Sequence, residues 1–154
     1  MSTDEFYMAK ALHLAEQAGD AGEVPVGAVV VCGGEVIGEG YNQPISACDP
    51  TAHAEIVAMR NAASQINNYR LSDCDLYVTI EPCTMCVGAM VHGRIRRIVF
   101  GALEPRAGAL NSQLQLMDQS HYNHIIEVRG GVLERQCSEL ISSFFRQKRK
   151  PKSE

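Results

Sequence analysis

Residues 53–100 read HAEIVAMRNAASQINNYRLSDCDLYVTIEPCTMCVGAMVHGRIRRIVF, and their hydrophobic pattern alternates between the helical and the extended period. From His53 to Ala63, Ile56, Met59, Arg60 and Ala63 recur at i, i+3, i+4 and i+7, which predicts a helix. Leu76 to Ile80 is a short apolar run and predicts a strand. Pro82 suits a helix's first turn, and Cys83 to His92 continue it with Met85, Ala89 and Met90 until Gly93 stops it. Ile95 to Phe100 is again a strand, closed by Gly101. Helix, strand, helix, strand in this order predicts parallel neighbours, right-handed crossovers and helices covering a central sheet, an α/β architecture.

Outward from this stretch the pattern continues. Ser2, Thr3, Asp4 and Glu5 form a capping-box pattern, followed by Phe6, Ala9, Leu12 and Ala15 at helical spacing and by Gly19 as a stop. Val24 to Val31 and Glu35 to Tyr41 are β-rich runs around Cys32, Gly33 and Gly34, a hairpin with a glycine turn. A loop with Pro44, Asp49 and Pro50 leads to His53. On the other side, 102–123 has no clear period and reads as a candidate substrate lid. Ile125 to Val128 and Glu134 to Lys148 complete the chain with a strand and a helix.

The bulk properties agree. A chain of 154 residues with 45% hydrophobic and 21% charged residues supports one domain with a real core, here 1–154, with a basic C-terminal helix and tail over about 134–154. The first ten residues have no apolar signal region and no apolar run is long enough to cross a bilayer, so a soluble cytoplasmic protein is expected. In the reducing cytosol six cysteines read as thiols or metal thiolates. A net charge of −4 argues against a protein that coats nucleic acid indiscriminately. The cluster Arg146, Gln147, Lys148, Arg149, Lys150, Pro151, Lys152 suits phosphate contacts or a solvated tail, and taken alone it slightly favours the tail.

The chemistry concentrates in two strings. Structural zinc sites normally bring two C-x-x-C pairs, whereas here only Cys83 and Cys86 are paired; Cys32, Cys48, Cys74 and Cys137 stand alone and read as small buried hydrophobes. Three ligands with an open position is the catalytic pattern, and His53 is the third ligand on offer. Cys83 and Cys86 share one face at a helix N-terminus, where the dipole favours thiolates. Within a helix His53 and Glu55 diverge too far to hold one ion, which leaves Glu55 as a base beside the bound water. Taken singly, His53 suits a surface or core histidine, and the cysteines a structural or redox pair. Together, Thr51-Ala52-His53-Ala54-Glu55 and Glu81-Pro82-Cys83-Thr84-Met85-Cys86 match H-x-E followed by P-C-x-x-C, the signature of zinc deaminases of nucleobases.

Further strings extend the match: Glu23 to Ala28, Gly38 to Asn42, Asp49 to Thr51, Asn68 to Arg70, Val99 to Ala102 and Phe144 to Arg146. With them the chain resembles the bacterial tRNA-specific adenosine deaminases over nearly its whole length. The resemblance implies a cytidine-deaminase-like three-layer α/β/α fold with a central mixed sheet of about five strands, one Zn2+ per subunit and a homodimer. It further implies conversion of adenosine to inosine at the wobble position of an arginine tRNA anticodon, with no role for a membrane. By resemblance Asn42 bonds the target nucleoside, Val26 and Ala54 line its pocket, Pro82 sits beside the zinc, and Asn123 contacts flanking nucleotides. Phe145, Arg146 and Arg149 lie where the last helix of the family meets the anticodon stem-loop, and His92 at the dimer interface. The loop after Gly101 departs from the common family pattern: Glu104 replaces an aspartate and Arg106 a lysine, which keeps the charges but changes reach and geometry at two expected RNA contacts.

The expected mechanism has zinc-activated water give its proton to Glu55, attack C6 of adenine, and Glu55 return protons to the ring nitrogen and the leaving ammonia. Two rivals share the metal site: a deaminase of free cytosine, guanine or a mononucleotide, and a silent zinc module that binds RNA or protein. An intact Glu55 speaks against the second, since a structural site needs no base.

Overall fold

Helix α1 (Thr3–Asp20) starts where the sequence places it. The Ser2 side chain accepts from the Glu5 amide, and the Glu5 carboxylate accepts from the Ser2 amide. The computed structural model that shows this describes residues 1–119 and 121–149, so Lys150, Pro151 and Lys152 of the basic cluster lie outside the described residues. The remaining elements are β1 (Gly27–Cys32), β2 (Glu35–Tyr41), α2 (Ala54–Ile66), β3 (Cys74–Ile80), α3 (Thr84–His92), β4 (Arg97–Ala102), β5 (Glu127–Arg129) and α4 (Glu134–Arg149).

The strands form one five-stranded sheet in the order β2-β1-β3-β4-β5. β1 pairs antiparallel with both β2 and β3, while β3 with β4 and β4 with β5 are parallel, so the sheet is mixed. Side chains alternate across it. Ala28, Val30, Leu76, Val78, Ile98 and Phe100 form one core with Ala54, Ala58, Met59 and Ala62 of α2 and Cys86, Val87, Met90 and Val91 of α3. Val29, Val31, Tyr77 and Val99 form the other with Tyr7, Met8, Ala11 and Leu14 of α1 and Cys137 of α4. Helices therefore cover both faces, the three layers α/β/α.

Several details differ from the sequence expectation. The buried face of α1 is Asp4, Tyr7, Met8, Ala11, Leu14, Ala15 and Ala18, not the stripe through Phe6, Ala9 and Leu12; Phe6 is 49% exposed. The buried face of α2 likewise runs through Ala54, Glu55, Ala58, Met59 and Ala62, with Arg60 exposed. β1 begins at Gly27 rather than Val24 because the Val26 amide turns back on the Val24 carbonyl at 2.8 Å. Pro82 and Cys83 lie outside α3: Cys83 is its N-cap, with Pro82 one residue earlier. Finally, 102–123 is not a free flap, since Ala109, Leu110 and Leu116 are buried in the first core and Leu116–Asp118 forms a single 3-10 turn.

Candidate active site

Two helix N-termini converge at the ends of the strands. His53 caps α2 in an extended conformation (φ −69°, ψ 153°), and Cys83 caps α3 in another (φ −81°, ψ 174°). His53 therefore stands outside the helix that carries Glu55. The two side chains part at the break between extended and helical backbone, not by rotation within a helix as the sequence suggests. Glu55 occupies the second helical position of α2 and is 3% exposed. Cys86, three residues into α3, is fully buried.

His53 Nδ1 lies 3.6 Å from Cys83 Sγ and 3.5 Å from Cys86 Sγ, and the three ligand atoms are all within 4.8 Å of one another. Two sulfurs and an imidazole nitrogen form a donor set that zinc prefers. Bonds of about 2.3 Å to sulfur and about 2.0–2.1 Å to nitrogen at tetrahedral angles would set sulfur and nitrogen about 3.6 Å apart. The residues present thus fit the ion, with Nδ1 as the histidine ligand atom.

The electrostatics suit the same use. The interaction with Cys86 and then the hydrogen bond with His53 overcome burial and pull the Cys83 thiol down to about 4. The same pairing with Cys83, added to burial, raises the Cys86 thiol, which a bound cation would have to deprotonate. Burial raises the Glu55 carboxyl, with the charge of Cys83 adding to it. A raised carboxyl holds a proton more readily than an ordinary glutamate, as a group that takes up and returns protons must.

Asn42 closes another side. Its backbone amide donates to the Val26 carbonyl at 3.1 Å, and its Oδ1 accepts from the Ala54 amide at 2.8 Å in the first turn of α2. That bond fixes the side-chain amide so that Nδ2 remains as a donor. Val26, Ala54 and Pro82 are buried near these groups, with Val26 and Ala54 in the same core as Cys86. Asn123 stands apart, exposed in the loop ahead of β5.

Two buried carboxylates that sequence reasoning left without a role hold the surrounding loops. Glu23, 2% exposed, accepts from the amides of Ile45 and Ser46 and from the Ser46 hydroxyl, which pins the loop after Asn42. Glu81, 1% exposed, does the same for the loop after β4. The available signal was an acid one or two residues ahead of a motif proline in each string, Glu81-Pro82 and Glu23-Val24-Pro25.

Where β3 and β4 end at the Ile80–Ala102 rung, a groove of about 640 Å³ opens between the loop after β4 and α4. Glu104, Arg106, Phe145, Arg146 and Arg149, all named from the sequence as expected RNA contacts, line it together. They come from segments about forty residues apart, and only the packing of α4 on the sheet brings them to one surface.

With this geometry in place the chain can be set beside known proteins. The family model for the cytidine and deoxycytidylate deaminase zinc-binding region matches residues 1–102. A tRNA-specific adenosine deaminase of Haemophilus influenzae is 51% identical over 97% of this chain and 87% of its own length. One of Bacillus subtilis is 41% identical over 99% and 94%. A solved structure from work on A-to-I editing by tRNA:A34 deaminases at the wobble position superposes with a TM-score of 0.86 at 41% identity, covering 88% of this chain and 98% of that one. At this identity over nearly full length, with the family's fold and its H-x-E and P-C-x-x-C residues drawn into one cluster, the chain belongs to the tRNA-specific adenosine deaminases, hydrolytic enzymes of the zinc-binding cytidine and deoxycytidylate deaminase family.

Proposed function

We propose that this chain deaminates adenosine to inosine at the wobble position of a tRNA anticodon, a reading supported by relatives named tRNA-specific adenosine deaminases and by the similar solved structure from work on A-to-I editing at the wobble position. The observation that carries the reading is the His53, Cys83 and Cys86 cluster, at separations of 3.5 and 3.6 Å, beside a buried Glu55. These three residues would hold one Zn2+ per subunit. Zinc, when bound, supplies the Lewis acidity that makes water nucleophilic near neutral pH.

The protein's own groups do the rest. Glu55 takes a proton from the attacking water and passes protons to the purine ring nitrogen and the departing ammonia. Asn42 Nδ2 donates to an acceptor of the target nucleoside, because its oxygen is already committed to Ala54. Val26, Ala54 and Pro82 give the base apolar walls. The target base must leave its stack, which costs a few kcal/mol and least where bases are already unpaired, so a loop suits the site better than a duplex. Glu104, Arg106, Phe145, Arg146 and Arg149 engage the nucleotides and phosphates beside it, with Asn123 on the flank; an acidic protein binds RNA when one face is basic. An arginine tRNA as substrate, a homodimer and a cytoplasmic location complete the reading; all six cysteines are free thiols, as that compartment favours.

The test is inosine formation and ammonia release from an anticodon stem-loop carrying a wobble adenosine, beside free adenosine, cytidine and guanine. Inosine from the stem-loop alone is expected. Ammonia from a free base or nucleoside alone would keep the chemistry and overturn the substrate.

A further inference from the structure

Glu81 sits between the end of β3 and the ligand turn that begins with Pro82 and Cys83. Its carboxylate is buried and accepts from four backbone amides of one loop: Glu104 at 3.1 Å, Leu110 at 3.1 Å, Asn111 at 2.7 Å and Ser112 at 2.9 Å. The Ser112 hydroxyl is a further donor. Two main-chain bonds run alongside, Glu81 amide to Ala102 carbonyl at 2.8 Å and Ala109 amide to Pro82 carbonyl at 2.9 Å. The approach is so close that a Cβ on Gly108 would collide with the carboxylate.

We infer that Glu81 is a positioning residue for the substrate, a buried anchor that ties the 104–112 loop to the metal-ligating turn and so sets where Glu104 and Arg106 stand in the groove. The inference rests on the reading that the groove takes the RNA. Its physical basis is the match between donors and acceptor. Convergent amides leave unmet hydrogen bonds unless an anion faces them, and a carboxylate accepts at both oxygens. A glutamine of the same length would turn an NH2 toward N–H donors. Apart from the Ala109–Pro82 main-chain bond and the burial of Ala109 and Leu110, the loop is held by its own short turns, such as Arg106 amide to Glu104 Oε1 at 2.8 Å and Gly108 amide to Glu104 carbonyl at 2.9 Å, which shape it without fixing it to the metal side. Because the loop amides that converge on this buried carboxylate belong to the segment that carries Glu104 and Arg106, misplacement on one side is transmitted to the alignment of the target base.

The experiment compares the full chain with Glu81→Gln, Gly108→Ala and Ser112→Ala, measuring zinc content, kcat and KM on the anticodon stem-loop, and hydrogen exchange of the loop amides. Glu81→Gln is expected to keep its zinc, to raise KM by about 10- to 100-fold with a smaller change in kcat, and to speed exchange at Leu110, Asn111 and Ser112. Gly108→Ala, which crowds the same carboxylate from the other side, should reproduce the effect, and Ser112→Ala should give a weaker version. Unchanged KM and exchange in Glu81→Gln and Gly108→Ala would overturn the inference. So would loss of zinc, or a fall in kcat at constant KM, which would make Glu81 a support of the metal ligands. Should Glu81→Gln not fold, the other two variants decide by the same criteria. Activity of the unaltered chain tests the substrate reading separately: without inosine from the stem-loop that reading fails, even if the exchange data show the loop anchored.

Discussion

Glu55 and Glu81 are carboxylates of equal length, both nearly inaccessible, and the protein gives them opposite protonation tendencies. Burial pushes each up. At Glu81 the hydrogen bonds from Ser112, Asn111 and Glu104 outweigh it and hold the group below the ordinary carboxylate range. At Glu55 burial prevails and the charge on Cys83 adds to it. The first balance favours a fixed anion at Glu81, and the second is what the proposed proton-transfer role of Glu55 requires. Glu55→Gln should therefore retain stoichiometric zinc, measured by metal analysis, while turnover falls by roughly 100- to 10,000-fold. An active, zinc-loaded variant would remove Glu55 from its role. Cys86→Ala is the control in the opposite sense and should lose metal and thermal stability together.

Among the elements, α2 and β2 make the tightest junction that bears on the site. Gly38 and Gly40 let the strand approach the helix backbone; a Cβ on Gly40 would lie 2.5 Å from the Ala58 nitrogen and 2.6 Å from the Ala54 oxygen. That approach fixes the first turn of α2, and with it Glu55 and the amide that Asn42 accepts from. Gly40→Ala is expected to destabilise the fold by about 1–3 kcal/mol in urea unfolding and to lower kcat as well. Loss of stability without loss of activity per folded molecule would mean that the first turn of α2 tolerates displacement. The mixed sheet has a related consequence: antiparallel β1 puts the Asn42 loop, and parallel β3 and β4 put the Cys83 turn and the 104–112 loop, at the same end of the sheet.

Over the whole molecule, the layer opposite the site is tied together by Asp4. It accepts from Tyr77 of β3 at 2.7 Å and pairs with Arg97 of β4 and Arg129 of β5. Burial raises its carboxyl, but the bonds from Arg97, Tyr77 and Arg129 win and hold it below the usual aspartate value. For a depressed carboxylate the stabilisation is full above the unfolded pKa and is lost as pH falls through the folded one. Asp4→Asn should then cost about 2 kcal/mol near neutral pH, with the gap to the parent narrowing as pH drops below about 4, followed by urea unfolding across that range. Charge is also distributed at this scale: the net charge is −4, yet Arg106, Arg146 and Arg149 share one groove. Replacing Arg146 and Arg149 by alanine is expected to flatten the dependence of log affinity on log salt by about 0.7 for each phosphate that is no longer neutralised, read from stem-loop binding at several ionic strengths.

Local spacing alone determined what depends on local spacing. The period of 35–41 yielded β2 with its observed ends, the capping box marked the start of α1, and the two short strings named His53, Glu55, Cys83 and Cys86 as one chemical set. Tertiary structure decided which face of a helix is inside and which acids are buried. Asp4 displaces Phe6 from the buried face of α1 because Tyr77, Arg97 and Arg129, lying 73, 93 and 125 residues away, satisfy its charge. Glu81 is inside because a loop some thirty residues later folds its amides onto it. A polar group is buried only where partners meet it, and those partners are distant in the chain, so hydrophobic periodicity finds the elements and the ligand spacing but not the anchors that hold the site in place.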